Sequence, residues 1–240
     1  MTLLADELAR RPFHLALSAG WFGFYAHAGF VAALADRGLR PASWSGASAG
    51  ALIAALAAAG LGADDLAREL GDLRRRDFWD PGLGLGLLRG RKLEDKLTRL
   101  APVARLEDCR EPVAISLLDL KRRRLLIRRH GDLARVVRAA LAIFPLFMPA
   151  RLEEGPVADG GGLDRPALGG LEPGRLVVLH DLPRRSGLDR APGRDDLELE
   201  RLLIPDLPRL GPFRLAQGPE AIDLARHEAG RWLDSPRPSS

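Results

Sequence analysis

Residues 41–52 read Pro-Ala-Ser-Trp-Ser-Gly-Ala-Ser-Ala-Gly-Ala-Leu, and the centre of this stretch, Gly46-Ala47-Ser48-Ala49-Gly50, decides how the chain is understood. Residues 41–45 read as a short strand, and residues 49–59, almost all Ala and Leu, as a helix buried on most sides. A Gly-x-Ser-x-Gly pentapeptide at a strand-to-helix turn holds its serine on a sharp bend. The flanking glycines remove side chains that would collide with the neighbouring strand and helix. The helix that follows points its first amides, and the positive end of its dipole, at the serine. With nine serines and 26 glycines in 240 residues, chance supplies only about 0.1 such pentapeptides.

Upstream, residues 13–17 (Phe-His-Leu-Ala-Leu) read as a buried strand, residues 18–23 as a glycine-containing turn, and residues 24–36 as a helix stopped by Gly38. Strand, turn and helix thus occur twice within about 60 residues, which implies parallel strands, a right-handed crossover and an α/β class. Downstream, helices are predicted over 64–76 and 92–100, separated by the Gly/Leu-rich loop 81–90. Residues 113–118 and 125–127 flank a basic turn, 121–124, and read as a hairpin. A helix over 132–143 is expected to end at Pro145 and Pro149, followed by a strand over 175–180, a solvated loop over 182–196 and a final helix over 219–233. The reading is one domain, residues 1–234, with a flexible tail, 235–240.

Hydrophobic residues make up 46% of the chain and charged ones 28%. A chain of this length buries a core without staples. The single cysteine, Cys109, excludes an internal disulfide framework and a cysteine-based zinc cluster, and reads as a small hydrophobe. The histidines show no metal-ligand spacing such as His-Glu-x-x-His. The net charge of +4 comes almost wholly from arginine, but one tyrosine and no recognition motif argue against nucleic acid. Asp6 and Glu7 are unlike a secretory signal, and the longest apolar run, 49–61, is too short to span a bilayer. A cytoplasmic protein is expected, with at most reversible contact at a membrane surface.

Ser48 requires a general base. The histidines are His14, His27, His130, His180 and His227. A Ser-His-Asp enzyme of the α/β-hydrolase type needs several strands ahead of its elbow, whereas here one clear strand precedes residues 41–45. The other candidate is Asp159, in Val157-Ala158-Asp159-Gly160-Gly161-Gly162, where three glycines let the backbone approach another segment closely. A carboxylate of ordinary pKa, about 4, is a poor base toward a hydroxyl, and burial beside Ser48 would strengthen it. A turn-capping role fits the local sequence equally well.

Taken together, a glycine-containing loop after the first strand, the elbow after the second and Asp-Gly-Gly at residue 159 resemble the patatin-like phospholipase family. Residues 138–149 (Arg-Ala-Ala-Leu-Ala-Ile-Phe-Pro-Leu-Phe-Met-Pro) are similar to the stretch that precedes the family's Asp-Gly-Gly. The resemblance covers residues 13–168. It implies a three-layer α/β/α sandwich with a mostly parallel sheet, and hydrolysis of phospholipid, lysophospholipid or related acyl esters through a Ser-Asp dyad. Ser48 would be the nucleophile and Asp159 the base, with the oxyanion held by the amides of Ala19, Gly20 and Ala49, and neither a metal nor an organic cofactor is implied.

The chain departs from the family in the first loop. Where the family reads Gly-Gly-Gly-x-Arg/Lys-Gly, this sequence reads Ser18-Ala19-Gly20-Trp21-Phe22-Gly23. Losing one oxyanion donor costs about 10²–10³ in rate, which motivates the alternative of a catalytically weak or silent lipid-binding protein on the same fold. Another alternative is a Ser-His-Asp esterase using His180 or His227. Trp21 and Phe22 are the expected acyl contacts, while Phe24, Phe144, Leu146, Phe147 and Met148 read as core, and His27 as a helix-face residue. The arginines at 122–124 and 128–129 read as a solvated hairpin that would also suit anionic headgroups.

Overall fold

Strand β1 (His14–Leu17) is buried on both faces, as a central parallel strand must be. In the computed structural model, which describes residues 2–84, 86–183 and 194–237, Leu15 and Leu17 enter the main core and Ala16 a smaller cluster on the opposite face. That second face is covered by residues 163–172, through Leu168 and Leu171. The other strands are β2 (Ser43–Ala47), β3 (Val113–Asp119), β4 (Arg124–Arg128), β5 (Ala150–Leu152), β6 (Gly155–Asp159), β7 (Leu176–Asp181) and β8 (Glu198–Leu203). They form one sheet in the order β5-β6-β3-β2-β1-β7-β8, with β4 also on β3. The run β3-β2-β1-β7-β8 is parallel throughout, and the pairings of β3 with β4 and β6, and of β5 with β6, are antiparallel.

The helices are α1 (Leu4–Arg10), α2 (Phe24–Ala35), α3 (Ala49–Ala58), α4 (Ala63–Gly71), α5 (Arg91–Leu100), α6 (Leu133–Ala140) and α7 (Gly218–Leu233). Helix α3 lies along β1, β2 and β3 and is buried almost all round, which its Ala-rich sequence permits. Helices α4 and α5 are amphipathic, burying only Leu66 and Leu70, and Leu97, respectively. The α/β architecture, with helices flanking a mostly parallel central sheet, is the one read from the sequence.

Several boundaries differ from the reading. Helix α4 ends at Gly71, and residues 75–77 form a separate single turn. Helix α6 ends at Ala140, so residues 141–149 form a non-helical connection before β5. The tail is tied down at its start. Leu4 N donates to the Ser235 carbonyl and Arg237 N to the Thr2 carbonyl, which anchors residues 235–237, while 238–240 lie outside the described residues. Most of the expected loop 182–196 also lies outside them. No described helix is long and apolar enough to cross a membrane.

Candidate active site

The register of β3 brings the site together. Its first half pairs with β2, ending at Ala47 opposite Ser116, and its second half pairs with β6, ending at Asp159 opposite Leu117. Because β4 overlaps both segments, β2 and β6 share the other edge of β3, end to end. Two strands running toward each other along one edge therefore deliver the residue after Ala47 and the last residue of β6 to the same point. Ser48 Oγ donates to Asp159 Oδ2 at 2.5 Å across 111 residues of sequence.

Ser48 sits at φ 51° and ψ −120°, a conformation costing a non-glycine residue about 1–3 kcal/mol that persists only because its surroundings enforce it. A Cβ on Gly46 would lie 2.5 Å from the Gly50 carbonyl oxygen, and one on Gly50 only 2.0 Å from the Leu17 carbonyl oxygen. Both glycines are sterically required where α3 crosses the ends of β1 and β2. Gly161 is required likewise, since its Cβ would come within 2.5 Å of that of Ala19.

Asp159 Oδ1 accepts from the Gly161 amide at 2.8 Å, so both carboxylate oxygens are oriented. Burial pushes this carboxyl up to about 6, against the lowering effect of the hydrogen bonds from Ser48 and Gly161. At neutral pH it remains largely ionised and is a far better proton acceptor than an ordinary aspartate. Cys109 is half-buried, its thiol pushed up to about 11 by burial and acidic neighbours, and is no nucleophile.

The loop at 18–23 is held by groups that sequence reasoning did not connect. Ser18 Oγ accepts from Leu182 N at 2.9 Å, and the Ser18 carbonyl accepts from His27 Nε2 at 2.9 Å. A carbonyl only accepts, so the His27 proton is on Nε2, and His27 Nδ1 accepts from His180 Nδ1 at 2.9 Å. His180 Nε2 is then a buried lone pair without a donor among the described residues. Burial lowers His27 to about 4 and His180 well below its ordinary value, so both rings are neutral. His27 is thus no simple helix-face residue; it is fully buried and props the loop.

Of the three expected oxyanion donors, Ala19 is otherwise engaged. Its N–H donates to the Arg165 carbonyl at 2.7 Å. The amides of Gly20 and Ala49 meet no acceptor among the described residues, and both line the cavity at Ser48. Ala49 is the first residue of α3 and its amide is open for the reason every helix start has open donors. Neither His180 nor His227 bonds to Ser48, and the His227 side chain is 69% exposed on α7. Among the described residues no group of three His, Cys, Asp or Glu side chains is arranged to hold a metal.

Ser48 stands where two cavities meet. One is almost wholly apolar and follows Ala49, Leu52 and Leu56 along α3, passing between Leu66 and Leu70 of α4 and Leu93 and Leu97 of α5. Glu69 and Lys96, paired at 3.5 Å, also line it and bridge α4 to α5. The other is more polar, with Asp159, Gly162 and Arg165 in its lining. Trp21 and Phe22 line the apolar cavity; Phe24, Leu146 and Phe147 belong to the buried core, as read, and also line that cavity. Phe144 contradicts the core reading: it is 75% exposed at the rim of the polar cleft. Residues 141–149 leave the helical path after Ala140 and carry it outward. In the basic hairpin, Arg122 is paired with Asp119, and Arg128 with Glu154.

A family model for patatin-like phospholipases matches residues 15–169. Uncharacterized NTE family proteins of Mycobacterium bovis and Mycobacterium tuberculosis are 30% identical over 154 residues, covering 62% of this chain and 42% of theirs. The match therefore spans less than half the length of these curated relatives. Among solved structures, VipD from Legionella pneumophila superposes with a TM-score of 0.66 at 16% identity, covering 93% of this chain and 67% of that one. The type III effector ExoU superposes with a TM-score of 0.52 at 19% identity, covering 92% and 52%. At these identities the likeness speaks to the fold.

Proposed function

The chain belongs to the patatin-like phospholipase family, and from that premise we propose that it is a serine lipid acyl hydrolase working through a Ser48–Asp159 dyad. The observation that carries this reading is the 2.5 Å hydrogen bond from Ser48 Oγ to Asp159 Oδ2 at the head of an apolar cavity. Asp159 takes the Ser48 proton as Oγ attacks the ester carbonyl carbon. The oxyanion rests on the Gly20 and Ala49 amides, at the positive end of α3. On collapse the alcohol departs with the proton from Asp159, leaving the acyl group on Ser48. Water then gives a proton to Asp159 and attacks the acyl carbonyl, releasing the fatty acid and returning the proton to Ser48. The acyl chain occupies the apolar cavity, and the headgroup side of a phospholipid, lysophospholipid or simpler ester occupies the polar cleft.

Replacing Ser48 by Ala is expected to abolish hydrolysis of a short-chain p-nitrophenyl ester and labelling by a fluorophosphonate, with the fold intact by circular dichroism. Unchanged turnover in that variant refutes the assignment. A second reading, a silent lipid-binding protein, draws on the engaged Ala19 amide, which leaves one donor fewer than expected. Fluorophosphonate labelling of Ser48 in the parent protein excludes it, and absence of labelling together with retained lipid binding supports it.

A further inference from the structure

Nine large hydrophobic side chains are exposed among the described residues; three of them, Trp21, Ile143 and Phe144, line the cavities at Ser48, and Leu83, Leu87 and Phe213 lie on segments that pack against residues 143–148 or against Trp21. Trp21 and Ile143 line both cavities at Ser48, and Phe144 lines the polar cleft. Loop 81–90 rides on residues 143–148: Leu87 N donates to the Pro145 carbonyl at 2.9 Å, and Met148 N to the Leu88 carbonyl at 2.9 Å. Gly84 of the same loop packs against Met148, and Leu83 beside it is 98% exposed. A Cβ on Gly211 would lie 3.4 Å from Trp21 Nε1, so this segment packs beside Trp21; Phe213, two residues on, is 71% exposed. Its ring is 5.8 Å from that of Trp79, and the Arg75 guanidinium lies 5.3 Å over both.

Scattered exposed apolar residues need no explanation, but several of them on the segments beside one opening do. We propose that this rim is a membrane-docking face, seated on a lipid surface so that the mouth opens directly into it. The inference rests on the acyl-hydrolase reading, because the apolar cavity behind the mouth calls for an occupant that brings an acyl chain. A protein covering the rim would seal the apolar cavity from substrate, whereas a lipid surface covers the rim and supplies the chain that enters it. Arg75, exposed with its guanidinium over Phe213 and Trp79, suits the anionic groups of such a surface; Arg74 and Arg76, also exposed, each lie 4.0 Å from an aspartate, Asp72 and Asp77.

The test is co-sedimentation with phosphatidylcholine–phosphatidylglycerol vesicles, using the Ser48→Ala protein so that lipid is not consumed. Leu83 and Phe213 line neither cavity at Ser48. Adding Leu83→Ser and Phe213→Ser is expected to weaken partitioning at least about tenfold, the scale of moving large apolar side chains from lipid back to water. Leu199→Ser, on edge strand β8, is expected to leave partitioning unchanged. Equal loss from Leu199→Ser, no loss from the rim pair, or a parent that never sediments with vesicles overturns the proposal; the last is what a protein-docking face gives. Turnover of a water-soluble p-nitrophenyl ester, with Ser48 present, reports on the hydrolase reading separately. Rim-dependent vesicle binding by a protein inert toward that ester keeps the docking face and discards the catalysis.

Discussion

Asp159→Asn should make the protein more stable while removing its activity. The folded carboxyl titrates at about 6 against an ordinary 3.8, chiefly because burial disfavours its charge. At about 1.36 kcal/mol per pH unit, this amounts to an upper figure of about 3 kcal/mol held against the folded state at neutral pH. Water reaching Asp159 from the polar cleft reduces it to about 1–2 kcal/mol. Between those two pH values the native state keeps a proton the unfolded chain has released, so stability falls as pH rises through the window and stays low above it. Asparagine carries no charge, can still accept from the Gly161 amide and can donate to Ser48 Oγ. In urea unfolding at pH 8 the variant is expected to exceed the parent by about 1–2 kcal/mol, and at pH 5 by about half as much. The parent's kcat/KM for a soluble ester should rise to a plateau through about pH 6, as its base ionises, and the variant should lose about 10²–10⁴ in rate. An Asp159→Asn protein no more stable than the parent at pH 8, or one whose advantage is the same at pH 5, would refute a buried charged base.

Leu56 lines the apolar cavity seven residues along α3 from Ala49, about 10 Å at 1.5 Å per residue. Leu56→Trp is expected to lower the ratio of long-chain to short-chain ester turnover at least tenfold; an unchanged ratio would show that the chain lies elsewhere. His27→Leu strands the Ser18 carbonyl and the His180 Nδ1–H, at about 1–3 kcal/mol for each buried group. Thermal unfolding should shift down by about 5–10 °C, with turnover falling as the 18–20 loop loosens; an unmoved melting temperature and rate would remove His27 from that role.

Much of the site was legible because its demands are local. A strand end, a small-residue bend and a helix start impose a residue pattern over five positions, and Gly46, Ser48 and Gly50 carry it. Asp159 was visible through the glycines that follow it, one of which has no room for a side chain against Ala19. Less legible was β6, which begins Gly-Pro, lacks alternation, and is a strand because β3 continues past the end of β2 and offers it an edge. The final turn of the predicted helix over 132–143 was overridden by the connection that carries Ile143 and Phe144 to the rim.

The sequence by itself determined the strand-turn-helix alternation, the parallel centre of the sheet and the elbow at Ser48, since periodicity and backbone sterics act between residues close in the chain, and it offered Asp159 only as a candidate partner for that hydroxyl. Tertiary structure alone decided that these two groups touch, that Asp159 is raised by burial, and that the Ala19 amide is spent on the Arg165 carbonyl. It also decided that His27 and His180, 153 residues apart, share a hydrogen bond, and that side chains from α3, α4 and α5 line one apolar cavity. These depend on which distant segments exclude water from one another, and no local pattern encodes that.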